Sequence, residues 1–139
     1  MAPCVFWKSP EVPSLLIVEG DAHARELSRV FLAAEGHTVA LATDGVEALL
    51  RLSESPPDVV ITEIMVRKID GLALCRRIKS DPATHHIKVV VCSIMAAMVR
   101  SREAGADDFI KKPLTQRKLI DVVASVLGGP EAPTRREEP

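Results

Sequence analysis

The chain has 139 residues, 47% of them hydrophobic, and its 18 lysine and arginine residues nearly balance 19 aspartate and glutamate residues. This length and apolar content are typical of one compact domain. The balanced charge and the scarcity of aromatic residues argue against a nucleic-acid-binding surface, which needs concentrated basic charge and stacking platforms.

Cysteine usage and hydropathy place the chain outside the secreted and membrane classes. Cys4, Cys75 and Cys92 are widely spaced and odd in number, so they predict buried apolar side chains in a reducing cytoplasm rather than disulfides. The longest apolar run, 89–99, is too short to cross a membrane, and the N-terminus has no signal-peptide pattern. We therefore expect a cytoplasmic protein.

Strand and helix patterns alternate along the chain. Continuous apolar runs predict strands that are covered on both faces, and apolar residues at helical spacing predict the helices between them. The predicted order is strand 14–18, helix 22–35, strand 38–42, helix 46–53, strand 59–62, helix 72–80, strand 87–92, helix 96–104, strand 107–110 and helix 114–127. This alternation predicts an α/β fold with a parallel sheet.

The apolar spacing also predicts which side chains of each helix face the core. They are Leu27, Val30, Phe31 and Ala34 in the first helix, Val46, Leu49, Leu50 and Leu52 in the second, Leu72, Cys75 and Ile78 in the third, and Leu119, Val122, Val123 and Val126 in the last.

The domain is expected to span 14–127. Residues 1–13 hold three prolines and form an N-terminal extension whose one apolar patch, Val5-Phe6-Trp7, either docks on the domain or is disordered. Residues 128–139 are charged and proline-rich, so a disordered tail is predicted there.

The stretch 58–71 is the centre of this arrangement, since a buried strand there delivers one carboxylate, Glu63, to its carboxyl end. The other strands also end at polar side chains. Because the ends of parallel strands meet at one edge of the sheet, we expect these side chains to form one cluster. They are Glu19, Asp21, Glu63, Ser93 and Lys112.

These residues and their spacing resemble a CheY-like response regulator receiver domain. The motifs are Val18-Glu-Gly-Asp21, Thr43-Asp-Gly-Val-Glu-Ala-Leu49, Pro57-Asp-Val-Val-Ile-Thr-Glu-Ile-Met65, Ile69-Asp-Gly71, Ser93, Ala104-Gly-Ala-Asp-Asp-Phe109 and Lys112-Pro113. The resemblance covers nearly the whole chain and implies a flavodoxin-like doubly wound sheet with strand order 2-1-3-4-5.

The resemblance also implies a site for phosphoryl transfer onto an aspartate, with magnesium bound by acidic residues. It places Glu63 at the phosphoacceptor position, and Ser93, Phe109 and Lys112 at the switch positions. The acidic metal pocket would comprise Glu19, Gly20, Asp21 and Met65.

Several of these positions depart from the family pattern. Glu63 stands where the family has Asp, which moves the carboxylate outward by roughly 1.5 Å, and Gly20 stands where a second metal-binding acid is expected. Arg67 replaces a usual proline, and the segment between Ser93 and Gly105 is short, which should trim the fourth helix or its leading loop. Asp21 could replace the missing ligand, but an Asp before a helix is more often an N-cap, and we favour the cap.

Glu63 and Lys112 then have a structural role as a partly buried ion pair that holds the domain in one state. That state could resemble the phosphorylated one. Ser93 turned away from Glu63, together with an exposed Phe109, would count against such an active-like state.

The sequence therefore predicts a stand-alone, degenerate receiver domain, not an enzyme, that acts as a phosphorylation-independent interaction module. The alternative is a phosphorelay receiver that a histidine kinase phosphorylates slowly at Glu63 with Mg²⁺. A flavin-binding electron carrier is disfavoured, because the segment 19–23 is acidic where a phosphate loop needs donors.

No cofactor is expected to be required, and Mg²⁺ binding, through Glu19 and Glu63 if at all, should be weakened. The expected partners are signalling proteins, either a histidine kinase or an output protein, with no nucleic acid and no membrane. They would dock on the face formed by the fourth helix, fifth strand and last helix, whose basic residues are Arg100, Arg102, Lys111, Arg117 and Lys118.

Overall fold

The computed structural model describes residues 12–128, in which five strands alternate with five helices. Their bounds are β1 Ser14–Val18, α1 Ala22–Ala33, β2 Thr38–Ala42, α2 Gly45–Glu54, β3 Val59–Glu63, α3 Gly71–Ser80, β4 Lys88–Ser93, α4 Met98–Glu103, β5 Asp108–Lys111 and α5 Gln116–Val126. The apolar patch at Val5-Phe6-Trp7 and the tail beyond residue 128 lie outside the described residues.

The strands form one parallel sheet in the order β2-β1-β3-β4-β5. The register pairs Val18 with Thr62, Glu63 with Cys92, and Ser93 with Lys111, so the carboxyl ends of β1, β3, β4 and β5 lie along one edge of the sheet. This topology confirms the predicted flavodoxin-like fold.

Apolar cores cover both faces of the sheet. The first, on the α2–α3 side, takes Leu16 and Val18 from β1, while the second, on the α1–α5 side, takes Leu15 and Ile17. All five residues of β3 are buried, as expected for a central parallel strand between two helical layers. The strand that carries Glu63 is therefore held rigidly from both sides.

The inward faces of α3 and α5 agree with the prediction, but those of α1 and α2 are partly wrong. Leu27 and Val30 are 41% and 45% exposed, and Ala34 is also exposed, whereas Ser28 and Leu32 are buried. α1 carries apolar residues around more than half of its circumference, so the apolar pattern alone does not fix its rotation. Packing of α1 against the sheet and α5 selects the stripe that includes the small Ser28.

The same error occurs in α2, where Val46 and Leu50 are exposed. Leu52 is buried and Leu49 packs against the core, as predicted, and the other buried positions of α2 are the small residues Gly45 and Ala48. A Cβ on Gly45 would lie 2.2 Å from the carbonyl oxygen of Ile69, so this position admits only glycine without a shift of the backbone.

The end of α1 and the length of α4 can also be compared with the prediction. α1 ends at Ala33, two residues before the predicted end, and Gly36 takes the left-handed conformation at φ 91°. α4 has six residues and is the shortest helix of the described part of the chain, in agreement with the short segment before Gly105. Within residues 12–128, none of the helices has the length and apolar content needed to span a membrane.

Candidate functional site

Three charged side chains meet at the carboxyl edge of the sheet. Glu19 follows β1, Glu63 ends β3 and Lys112 follows β5; both glutamates are only 7% exposed. The Lys112 ammonium Nζ lies 2.8 Å from Glu19 Oε1 and 2.9 Å from Glu63 Oε2. We call this cluster the Lys112 triad. The expected Glu63–Lys112 pair is confirmed, and Glu19 shares the same lysine.

Backbone donors occupy the remaining carboxylate oxygens of the triad. Ile64 donates its N–H to Glu63 Oε1 at 2.7 Å, and Met65 donates a longer bond of 3.5 Å to the same atom. Asp21 donates its N–H to Glu19 Oε2 at 3.2 Å. Each of the four carboxylate oxygens therefore has a donor, and both buried charges are compensated.

Two opposing effects act on the Lys112 ammonium. Burial by itself would lower the pKa of Lys112, but the hydrogen bonds and charges of Glu19 and Glu63 outweigh it and raise the pKa above the ordinary value of 10.5. A raised folded-state pKa means that this contribution to stability is fully present below about pH 10.5 and is lost as the pH rises through the folded-state value. At neutral pH the triad is held together by a charged lysine.

The loop after β3 fixes the position of Glu63. A Cβ on Gly71 would lie 2.2 Å from the Glu63 carbonyl oxygen, so glycine is required for α3 to start this close to the strand. Gly71 also donates its N–H to Ile64 O at 2.8 Å, and Asp70 caps the helix by accepting from Ala73 N–H at 2.8 Å.

A second set of contacts ties this loop to the start of α2. Arg67, which stands in place of the expected proline, accepts a hydrogen bond at its carbonyl oxygen from Gly45 N–H at 3.1 Å. Lys68, in the left-handed conformation at φ 71°, places its ammonium 3.5 Å from Asp44. These two contacts hold the loop after β3 against the start of α2.

The remaining residues of the predicted acidic pocket do not join the triad through their side chains. Asp21 accepts the N–H of Ala24 at 2.8 Å and is the N-cap of α1, as favoured. Gly20 contributes no side chain, although a Cβ there would be 3.6 Å from the nearest atom, the Thr43 carbonyl oxygen, and would fit. Met65 is 68% exposed at the rim of the site.

Ser93 and Phe109, the two switch positions outside the triad, give a mixed result. Ser93 is fully buried, and its Oγ accepts the Met95 N–H at 3.1 Å; no hydrogen bond to Glu63 occurs among the contacts described for it. Phe109 is half-buried and packs against the core on the α2–α3 side. The Ser93 contact counts against an active-like state, whereas the half-buried Phe109 does not.

Arg25 is a site residue that the sequence reasoning missed. Its guanidinium Nη1 donates to the carbonyl oxygens of Glu19 at 2.8 Å and Gly20 at 3.2 Å, so a cation on the first turn of α1 holds the loop in which the acid is missing. The sequence did contain a signal for this contact, because Arg25 lies one turn into a helix that directly follows an acidic loop.

The donor set does not fit a magnesium ion. Mg²⁺ prefers octahedral oxygen ligands from carboxylates and water, but both carboxylates here bind an ammonium group, and Gly20 offers none. No group of three His, Cys, Asp or Glu residues between 12 and 128 is arranged to hold a metal.

The two described cysteines are buried, as predicted, and their thiols are held in the protonated form. Burial raises the pKa of Cys75 to about 11 and that of Cys92 to about 12. Their sulfurs lie 3.4 Å from Ala104 O and 3.6 Å from Thr62 O, respectively. Neither thiol is suited to nucleophilic chemistry, which requires the thiolate.

Comparison with known proteins identifies sequence relatives over most of the chain. The family model of the response regulator receiver domain matches residues 15–124. The response regulator MprA of Mycobacterium sp. (strain KMS) is 33% identical over 126 residues, which cover 86% of this chain and 55% of that protein. The transcriptional regulatory protein AfsQ1 of Streptomyces coelicolor is 34% identical over 116 residues, with coverage of 84% and 52%. The chain thus spans about half the length of these curated relatives.

Solved structures share the same architecture. A putative response regulator from Chloroflexus aurantiacus J-10-fl superimposes with a TM-score of 0.80 at 30% identity, covering 84% of this chain and 98% of that one. The signal receiver domain of a signal transduction histidine kinase from Syntrophus aciditrophicus gives 0.80 at 34% identity, with coverage of 86% and 93%. The chemotaxis response regulator CheY4 of Vibrio cholerae, with a TM-score of 0.79 at 19% identity over 83% of this chain and 98% of that one, supports the fold alone.

Proposed function

The chain belongs to the response regulator receiver domain family, whose members are signalling modules of two-component systems, and we propose that it signals without being phosphorylated. In this proposal it is a pseudo-receiver that offers one fixed surface to a partner protein. The observation that carries the proposal is the Lys112 triad, in which one ammonium bridges Glu19 and Glu63 at 2.8 and 2.9 Å.

Two features of Glu63 argue against phosphoryl transfer to its carboxylate. Each oxygen of the Glu63 carboxylate already accepts a hydrogen bond, one from the Ile64 N–H and one from Lys112, and these bonds lower its nucleophilicity. The longer side chain also displaces the carboxylate by roughly 1.5 Å, and a 1 Å misplacement can cost about 10²-fold in an aligned reaction.

The reaction also requires bound magnesium, and Gly20 offers no carboxylate to help bind it. Magnesium normally neutralises the charge of the transferring group, but here Lys112 supplies the cation inside the pocket, and Arg25 binds the loop where the acid would stand. One metal-binding acid is absent and both remaining carboxylates pair with Lys112, which favours a permanent state over a switched one.

The face of α4, β5 and α5 is the proposed docking surface. All five of its predicted basic residues are exposed, and Met98 and Val99 on α4 are exposed beside them. Arg117 is 3.7 Å from Asp121, and Lys118 donates to the carbonyl oxygens of Lys111 and Pro113, so part of this charge is oriented by the domain. Basic and apolar groups together suit an acidic partner with apolar anchor residues.

Intact-mass spectrometry after incubation with acetyl phosphate and Mg²⁺ tests the proposal. The parent chain should gain no phosphoryl mass, because the acceptor and the metal ligand are both altered. The double variant Gly20→Asp with Glu63→Asp should gain one, since the open space at Gly20 admits the acid and the shorter acceptor restores the usual reach. The single variant Glu63→Asp shows how much of the gain depends on the acceptor at position 63 and how much on the added acid at position 20.

The matched control is Glu63→Gln, which keeps the size of the side chain and removes the carboxylate. If the parent chain gains phosphoryl mass and Glu63→Gln abolishes the gain, the chain is a phosphorelay receiver with a glutamate acceptor, and the pseudo-receiver proposal is wrong.

A further inference from the structure

A groove with apolar walls lies between α2 and α3, at the end of the domain opposite the Lys112 triad. Its volume is about 710 Å³, which falls within the ~300–1,000 Å³ of clefts that hold a small molecule. The last turns of both helices and the segments that follow them form the walls. The lining residues with apolar side chains are Leu49, Leu52, Pro56, Ile78, Pro82 and Ala83.

The polar side chains of the lining, with one exception, are already bonded within the domain. Each hydroxyl donates to a nearby backbone carbonyl oxygen, at 2.9 Å for Ser53, 3.3 Å for Ser80 and 2.8 Å for Thr84. The Asp81 carboxylate accepts a backbone N–H two residues further on at 2.9 Å. The exception is Arg77. Within residues 12–128 its guanidinium donates no hydrogen bond and forms no ion pair, not even with Asp81 one turn along.

Arg77 lies at the rim of the groove. Its side chain is exposed, and it also lines a hollow on the other side of α3. Ile78, the next residue, is only 1% exposed and belongs to the apolar wall. The groove therefore combines apolar surface in its depth with one cation at its mouth, and the five donors of that cation are available to a ligand.

We propose that this groove binds an amphiphilic anion, a molecule with an apolar aliphatic or aromatic body and one carboxylate or sulfonate group. The body buries its surface against the walls, which is the main source of affinity. The anionic group accepts paired N–H bonds from Arg77, since a guanidinium matches the geometry of a carboxylate. The groove is remote from the Lys112 triad, so this site and the phosphorylation-independent signalling proposed above can fail separately.

Decanoate is the probe, and decanol, which has the same chain and no charge, is the matched control ligand. Amide NMR spectra of the isotope-labelled full-length chain, recorded during each titration, locate binding residue by residue. We expect saturable shifts confined to residues 49–55 and 77–84, with a Kd for decanoate on the order of 1 mM, as for other ligands this small. Decanol should bind at the same residues about fivefold more weakly, the upper range for an exposed ion pair.

Arg77→Gln should weaken the binding of decanoate about fivefold and that of decanol less than about twofold. The matched control is Arg76→Gln, because Arg76 is an exposed arginine on the same helix that does not line the groove. It should leave both affinities unchanged. Ala83→Glu, at an exposed position of the wall, adds a negative charge and should weaken decanoate more than decanol. The same spectra verify that each variant is folded.

Three results would overturn the proposal. The first is the absence of saturable shifts with decanoate, or shifts centred on the exposed apolar residues Met98 and Val99 of α4 instead of the groove. The second is an equal loss of affinity in Arg77→Gln and Arg76→Gln, because the attraction would then come from the general charge of α3. The third is decanol binding as tightly as decanoate, since the groove would then not recognise the anion.

Discussion

Replacing Lys112 by methionine tests whether the triad stabilises the domain through its charge. Methionine keeps much of the side-chain volume but removes the ammonium that lies 2.8 and 2.9 Å from the two carboxylates. Glu19 and Glu63 would then remain buried as two negative charges that share one pocket. The backbone N–H groups that bind their other oxygens cannot neutralise that charge.

The expected cost follows from the burial of all three groups. The Lys112 side chain is 15% exposed and the carboxylates 9–10%, so solvent screens their attraction only weakly. Removing one partner of a buried ion pair costs about 3–5 kcal/mol, and the loss for two carboxylates should lie near the upper end of that range. At about 4 °C per kcal/mol for a domain of this size, the melting temperature should fall by roughly 15–20 °C.

Urea unfolding and thermal melting, both followed by circular dichroism at pH 7, provide the assay. Lys68→Met is the control, because Lys68 forms an exposed ion pair with Asp44 at 3.5 Å and should cost less than about 1 kcal/mol. The triple variant Lys112→Met, Glu19→Gln, Glu63→Gln should recover most of the loss, since neutral groups can replace a buried ion pair at little cost.

Two outcomes would refute this reasoning. A loss below about 1 kcal/mol for Lys112→Met would mean that the carboxylates are solvated and that the ammonium is not needed to stabilise them. A triple variant no more stable than Lys112→Met would mean that the lysine acts through packing and hydrogen bonds rather than through compensation of charge.

Three further predictions concern single positions. Gly71→Ala should destabilise the domain by about 1–3 kcal/mol or more in urea unfolding, because the new Cβ would lie 2.2 Å from a β3 carbonyl oxygen; Gly20→Ala, with 3.6 Å of clearance, should change stability by less than about 0.5 kcal/mol. Burial lowers the pKa of His37, whose Nδ1 has no hydrogen-bond partner, so stability should fall as the pH drops below 6.5. His37→Gln should reduce that fall in urea titrations at pH 7 and pH 5, and equal pH dependence of both chains would contradict the assignment. Cys75 and Cys92 should resist alkylation by iodoacetamide in the native chain and react after unfolding; rapid native labelling of either one, located by peptide mass mapping, would show that it is not buried.

The order of secondary-structure elements could be predicted from the sequence because it depends on local patterns. Apolar runs bounded by glycine and proline identified all five strands, and alternation with helices left a parallel sheet as the main solution. The N-cap role of Asp21 was predictable for the same reason, since a cap involves only the next few residues. The polar cluster followed from one geometric rule, that parallel strands end at the same edge of the sheet.

Tertiary packing alone decided which side chains in that cluster touch. Lys112 and Glu19 are 93 residues apart, and their contact depends on the placement of β1 and β5 at either side of β3. The rotation of α1, which buries Ser28 instead of Leu27, is likewise set by its neighbours, because an apolar pattern with two possible stripes leaves the choice to packing. Sequence thus determined which groups reach the carboxyl edge of the sheet. The packed fold determined that one lysine is shared by two glutamates, since only the assembled sheet excludes the water that would otherwise separate them.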